Sequence, residues 1–173
     1  MKKWLVLFMS LGLALALAAC GSTDDVSTGS SDSKDKKTEE KKDDSSKKID
    51  ASKQSTEALG MKINLGDVKI MKDKINVGLN IENTTGKVLT FYPDQGNAVI
   101  GSMQLSANMF LTDGEVGGDV QGGVKQEGVL EFSAPDGKEI DVDKVKEIKL
   151  NFGDVVTDDF MKTKAVTITV PVK

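Results

Sequence analysis

Ile75-Asn76-Val77-Gly78-Leu79-Asn80-Ile81-Glu82-Asn83-Thr84-Thr85-Gly86 decides the fold of this chain. Four large aliphatic side chains alternate there with small or polar residues. Successive side chains of a strand point to opposite faces, so a period of two places all four on one face of a half-buried strand. Asn83-Thr84-Thr85-Gly86 then supplies turn chemistry, with Gly86 available for positive φ. Downstream, Leu89 and Phe91 continue the alternation within Lys87–Tyr92. Pro93, which has no amide hydrogen to give to a ladder, stops it. Upstream, Ile63 and Leu65 share one phase, whereas Val68 and Ile70 share the other. Gly66-Asp67 sits at the slip, as in a bulge or in a strand that changes sheets.

The same pattern continues to the end of the chain. Ala98–Gly101 and Met103–Ala107 read as short strands separated by Gly101-Ser102. Val124, Leu130 and Phe132 share a face opposite Lys125, Glu127 and Glu131. Ala134-Pro135-Asp136-Gly137 is a turn, because proline presets φ and glycine accepts the left-handed position. Ile148, Leu150 and Phe152 alternate, as do Val166, Ile168, Val170 and Val172. The only helical spacing, Val142 to Val145, predicts a single turn within Asp141–Lys146. Many short strands separated by turns, without a long amphipathic helix, predict an all-β, immunoglobulin-like β-sandwich over residues 59–173.

Residues 20–58 read differently. From Gly21 to Glu57 the chain holds ten acids and eight lysines, and Val26 and Ile49 are its only large apolar residues. Such a composition cannot bury enough apolar surface to offset the entropy of ordering, so a disordered tether is expected. A flexible chain of that length spans roughly 35 Å. Ahead of it, Lys2 and Lys3 precede an apolar run from Trp4 that closes on Leu17-Ala18-Ala19, the layout of a secretory signal peptide over residues 1–19. The run is shorter than the ~20 residues of a spanning helix.

Composition excludes several classes of function. The chain has no histidine and no arginine, and its sole cysteine is Cys20. Without histidine there is no Ser-His-Asp or Cys-His catalysis and no His-Glu-x-x-His metal site. Removal of Lys2 and Lys3 leaves 21 lysines against 27 acids, a formal charge of −6. Acidity and the lack of arginine argue against a nucleic-acid partner. Trp4 leaves with the signal peptide, so the mature chain retains Tyr92 as its one large polar aromatic. That disfavours a sugar-stacking surface.

Three stretches carry groups that could form a site. Tyr92-Pro93-Asp94-Gln95-Gly96-Asn97 offers a phenol, a carboxylate and two amides, and Tyr92, Asp94, Gln95 and Asn97 are its binding candidates. Asp113, Glu115 and Asp119, in an acidic glycine-rich loop, have the oxygen donors that calcium prefers. Val124 stands where an EF-hand places its glutamate, however. Asp154, Asp158 and Asp159 would need a carboxyl raised by burial to act in acid–base chemistry. Met103, Met109 and Phe110 could form an apolar patch, although methionine more commonly fills cores.

Leu17-Ala18-Ala19-Cys20-Gly21 resembles the lipobox of bacterial lipoproteins, in which the cysteine thiol receives a diacylglyceryl group and becomes the new N-terminus. Two acyl chains suffice for stable anchoring. More broadly, the chain is similar to uncharacterised lipoproteins of Gram-positive bacteria with a charged tether and a single immunoglobulin-like domain. Val77–Gly86 (VGLNIENTTG), Phe91–Ile100 (FYPDQGNAVI) and Gly128–Pro135 (GVLEFSAP) carry that likeness, and a secreted mycobacterial antigen is similar more distantly. The resemblance implies a protein anchored by lipid at Cys20 on the outer face of the cell membrane, with no other cofactor and no catalytic residues. Its sandwich would bind an envelope protein or a cell-wall ligand. A calcium-stabilised structural domain and a carboxylate-dependent envelope hydrolase are the alternatives.

Overall fold

The computed structural model describes residues 26–29 and 46–173, so the expected signal peptide, Cys20 and most of the expected tether lie outside the described residues. Strands follow one another as β1 (Lys47–Asp50), β2 (Ser55–Ala58), β3 (Met61–Ile70), β4 (Lys74–Asn83), β5 (Leu89–Phe91), β6 (Asn97–Ile100) and β7 (Met103–Ala107). The second half adds β8 (Asp113–Glu115), β9 (Gly118–Val120), β10 (Lys125–Ser133), β11 (Glu147–Thr157) and β12 (Thr163–Pro171). Single 3₁₀ turns occupy Pro93–Gln95, Met109–Leu111 and Val142–Lys144. Among the described residues no helix is long and apolar enough to cross a membrane.

All the strand pairings are antiparallel, and the strands form an all-β sandwich. One face is built on β3, β4 and β10, with β1 and β2 on the outer edge of β3 and β8 beyond β10. The other is built on β12, β11, β6 and β5, with β9 beyond β5. β7 joins the two, pairing with β6 along its length and with Phe132 and Ser133 of β10 at its end. At the opposite edge, Lys164 Nζ of β12 donates to the Glu57 carbonyl of β2 at 2.9 Å.

The alternating residues do what their period requires. Ile75, Val77, Leu79 and Ile81 are buried, as are Ile148, Leu150, Phe152, Val166, Ile168 and Val170. Phe132 and Phe152 meet edge to face between the layers at 6.3 Å. The phase slip in β3 is a bulge. The register against β4 shifts between Leu65 and Val68, so Ile63, Leu65, Val68 and Ile70 all face the core and the strand stays in one sheet. Val124 departs from the expected pattern: it precedes β10 in a turn and is exposed, while Leu130 and Phe132 are buried.

Two expectations need correction. The sandwich begins at Lys47, not at Leu59, because β1 and β2 pair with the two halves of β3. Between them the backbone bends over the bulge, with Ala51 N–H donating to the Gly66 carbonyl and Leu65 N–H to that of Gln54, both at 3.0 Å. Backbone ladders, with Ile49, Ala51 and Ala58 packed inward, order a segment whose composition reads as tether. Second, the turn after β4 does not use a left-handed Gly86. Asn83 organises it: its amide donates to the carbonyls of Lys87 (2.7 Å) and Val120 (2.8 Å), while its Oδ1 accepts from Thr85 N–H (2.9 Å) and Thr85 Oγ1 (2.7 Å).

Asn83 is fully buried, so truncation leaves the Val120 and Lys87 carbonyls without that donor. Asn83→Ala should lower unfolding free energy by about 2–4 kcal/mol. Urea denaturation at unchanged m-value checks this, and a loss under about 0.5 kcal/mol would show that the turn holds without it.

Candidate functional site

The Tyr92 loop is assembled by turn physics. Pro93 is buried and opens a 3₁₀ turn in which Gln95 N–H donates to the Tyr92 carbonyl at 3.2 Å. Tyr92 is half-exposed at 46%. Asp94 Oδ1 is shielded from solvent and has no hydrogen-bond partner among the described residues. Asn97 belongs to β6, where its Oδ1 accepts from Asn151 Nδ2 at 2.8 Å, and Asn151 in turn accepts from Thr167 Oγ1 at 3.1 Å. Asn97 is therefore tied into a polar ladder across β6, β11 and β12.

Asp113, Glu115 and Asp119 are drawn apart. Asp113 and Glu115 lie on β8 and pair with Val129 and Glu127 of β10, whereas Asp119 lies on β9 and pairs with Thr90 of β5. Gly117 and Gly118, both at positive φ, let the chain turn from one layer to the other between them. Asp119 Oδ1 accepts from Thr90 Oγ1 at 2.7 Å. Among the described residues no group of three or more acidic or sulfur side chains is placed to share a metal ion.

The third acidic group shapes the β11–β12 hairpin. Asp159 Oδ1 accepts from Thr157 Oγ1 at 2.6 Å and from Met161 N–H at 3.0 Å. These bonds, the Thr157 hydroxyl foremost, hold its carboxyl below the ordinary 3.8. A general acid needs the opposite shift. Asp158 makes a 3.7 Å ion pair with Lys87, and Asp154 is exposed on β11. The methionines also separate: Met103 packs on the core, whereas Met109, Phe110 and Leu111 project from a 3₁₀ turn capped by Asn108 Oδ1, which accepts from Phe110 N–H at 3.1 Å.

The most elaborate arrangement lies elsewhere, on the outer face of the β3–β4–β10 layer. Gly66 in the bulge and Gly78 on β4 leave a gap in the side-chain surface, and the backbone of Val26–Gly29 runs across it. A Cβ on either glycine would collide with the Ser27 carbonyl oxygen. Four hydrogen bonds join the segment to the sheet. Asp67 N–H donates to the Ser27 carbonyl (2.7 Å), Ser27 N–H to Asp67 Oδ2 (3.0 Å), Asn80 Nδ2 to the Thr28 carbonyl (2.7 Å), and Thr28 Oγ1 to Glu127 Oε2 (3.1 Å). Asn64 Nδ2 donates to Asn80 Oδ1 at 3.0 Å and orients that amide. Lys48 pairs with Asp67 at 3.1 Å. Val26 is 7% exposed. Gly29 takes φ +79°, where a side chain would be strained and would press on the Leu65 carbonyl.

The sequence signals for this cleft are the Gly66-Asp67 slip, a glycine inside β4 and a valine isolated in a polar run. None of them discloses that the three meet.

Fold and surface thus define an antiparallel all-β sandwich with a glycine-floored cleft on one layer. No protein-family model matches the chain, and no curated protein matches it. Among solved structures it is similar to a functionally unknown protein from Listeria monocytogenes EGD-e, at 14% identity and a TM-score of 0.48, over 75% of this chain and 85% of that one.

The hairpin carboxylate gives a pH test. The folded-state pKa of Asp159 lies below its unfolded value, so its contribution is present above about pH 4 and is lost as pH falls through the folded value. Thermal melts of the parent and Asp159→Asn should differ most near neutral pH and converge in acid. A gap independent of pH would remove the charge from the account.

Proposed function

We propose that this chain is a membrane-anchored lipoprotein of the cell envelope, its β-sandwich serving as a non-catalytic binding or protein-interaction module. The observation that carries the reading is Leu17-Ala18-Ala19-Cys20-Gly21, with the chain's one cysteine directly behind small residues at the end of an apolar run. A thiol at that position has an acylation chemistry to serve, and a charged segment then separates the lipid from a folded domain. The absence of histidine from the sequence supports a non-catalytic domain. So does the use of Asp119 and Asp159 as acceptors for neighbouring hydroxyls.

Contact with a partner has a physical basis in the turn at Met109–Leu111. Phe110 is 88% exposed, flanked by the half-exposed Met109 and Leu111. Exposed aromatic and aliphatic side chains grouped in this way supply the anchors on which protein interfaces concentrate their energy.

Two measurements test the parts separately. Cys20→Ser should abolish acyl labelling and move the protein from the membrane fraction to the soluble one. Retention in the membrane would overturn the anchor. The mature chain, immobilised and exposed to solubilised envelope and cell-wall fragments, should recover one protein or polymer that Phe110→Asp loses at least about tenfold, as expected for removal of a hot-spot aromatic. Loss with Tyr92→Ala alone would move the contact to the Tyr92 loop, and turnover of any envelope substrate would sink the non-catalytic reading.

A further inference from the structure

The cleft over Gly66 and Gly78 has a consequence for where the domain sits. Val26–Gly29 belongs to the charged run between Cys20 and the sandwich, and Val26 is the one large apolar residue of that run. Both layers of the match are specific. On the sheet side, a bulge frees the Asp67 N–H from the β3–β4 ladder, and glycines stand where any side chain would block the passage. On the segment side, the apolar residue is buried, both backbone carbonyls of Ser27 and Thr28 find donors, and the left-handed position is a glycine. Extended segments are commonly recognised through main-chain hydrogen bonds, and here the recognised segment comes from the same chain.

We propose that Val26–Gly29 is a clasp that shortens the tether and holds the sandwich close to the lipid surface. This rests on the lipid-anchor reading above. Cys20 and Val26 are six residues apart, so with the clasp closed the docking point can stand no more than about 20 Å from the anchored residue. With the clasp open, the first attachment is Lys47 at the start of β1, and the limit rises to about 90 Å. The clasp thereby divides one long spacer into a short leash and a loop. It also fixes which layer of the sandwich is turned toward the anchor: the outer face of β3, β4 and β10.

The test uses the mature, acylated chain on a supported bilayer of phosphatidylglycerol and phosphatidylcholine. Gly78→Val places a side chain against the Ser27 carbonyl without disturbing a left-handed residue, since Gly78 has strand geometry. Val26→Asp evicts the segment from its own side and leaves β4 untouched, so the question stays answerable if the first variant folds poorly. Hydrogen exchange at the Asp67 amide should accelerate about tenfold or more in both variants while the strand amides of β4 and β11 keep their protection. Neutron reflectometry should show the domain within about 20 Å of the bilayer in the parent and displaced outward in both variants.

An Asp67 amide as fast in the parent as in the variants overturns the clasp. So does an unchanged stand-off in variants whose Asp67 amide has accelerated. A chain that fails to stay on the bilayer, yet keeps its Asp67 amide protected in solution, overturns the anchor instead, and with it the stand-off, leaving only the docked segment.

Discussion

The bulge at Gly66-Asp67 is the constraint on which the rest of this structure depends. In a strand, a slip of one residue sends every following side chain to the other face. Ile63 and Leu65 lie in one phase and Val68 and Ile70 in the other, so a regular β3 would bury one pair and expose the other. An extra residue restores the phase, and all four reach the core. The same irregularity bends the neighbouring chain: β1 pairs with Asp67–Ile70, β2 with Met61–Asn64, and the bend between them crosses the bulge. It also takes one amide out of the ladder, and that amide binds the Ser27 carbonyl. Core phase, edge pairing and cleft all follow from one local device.

Without disulfides, the domain relies on that phase being right everywhere. The core is continuous between the layers, from Met61 and Leu79 on one side to Phe152 and Ile168 on the other. β7 closes one edge by pairing with both layers, which reduces the length of unpaired strand left for another chain to use. Of the buried polar side chains, Glu131 and Asn83 are satisfied, whereas Asn76 Oδ1 has no hydrogen-bond partner among the described residues. Glu131, nearly buried, has Lys74 Nζ at 2.7 Å, and Asn83 makes three side-chain bonds within its turn and a fourth to the Val120 carbonyl of β9. Burying a charge without such a partner would cost more than a surface ion pair returns.

What could be read from the sequence divides along a physical line. Strands whose apolar residues alternate were legible: β4, β11 and β12 stand where Ile75–Ile81, Ile148–Phe152 and Val166–Val170 place them, and the single turn at Val142–Lys144 matches its spacing. The slip at Gly66 was legible as an irregularity, though only the register distinguishes a bulge from a change of sheet. β1 and β2 were not legible, because backbone pairing to β3 orders them and composition does not report backbone pairing. The acidic spacing Asp113, Glu115, Asp119 misled for a related reason. Nearness in sequence is not nearness in space when Gly117 and Gly118 redirect the chain, and the three carboxylates end on strands of different layers. The Val26–Gly29 clasp lay furthest from view, since it joins a polar segment to two glycines on strands 40 and 52 residues away.

Magnitudes separate the clasp from the fold. Four hydrogen bonds at about 1 kcal/mol net each and the burial of Val26 at about 2 kcal/mol favour docking. Ordering four residues opposes it by about 4–8 kcal/mol. The two sides are comparable, so the segment docks and leaves on a free-energy scale well below that of global unfolding. The sandwich, by contrast, rests on antiparallel ladders and on a core that includes three buried phenylalanines and of which Val26 is not part. Opening the clasp and unfolding the domain are therefore different events, with different amides reporting each. On the anchor proposed above, such a contact lets the domain change its distance from the lipid without changing its structure.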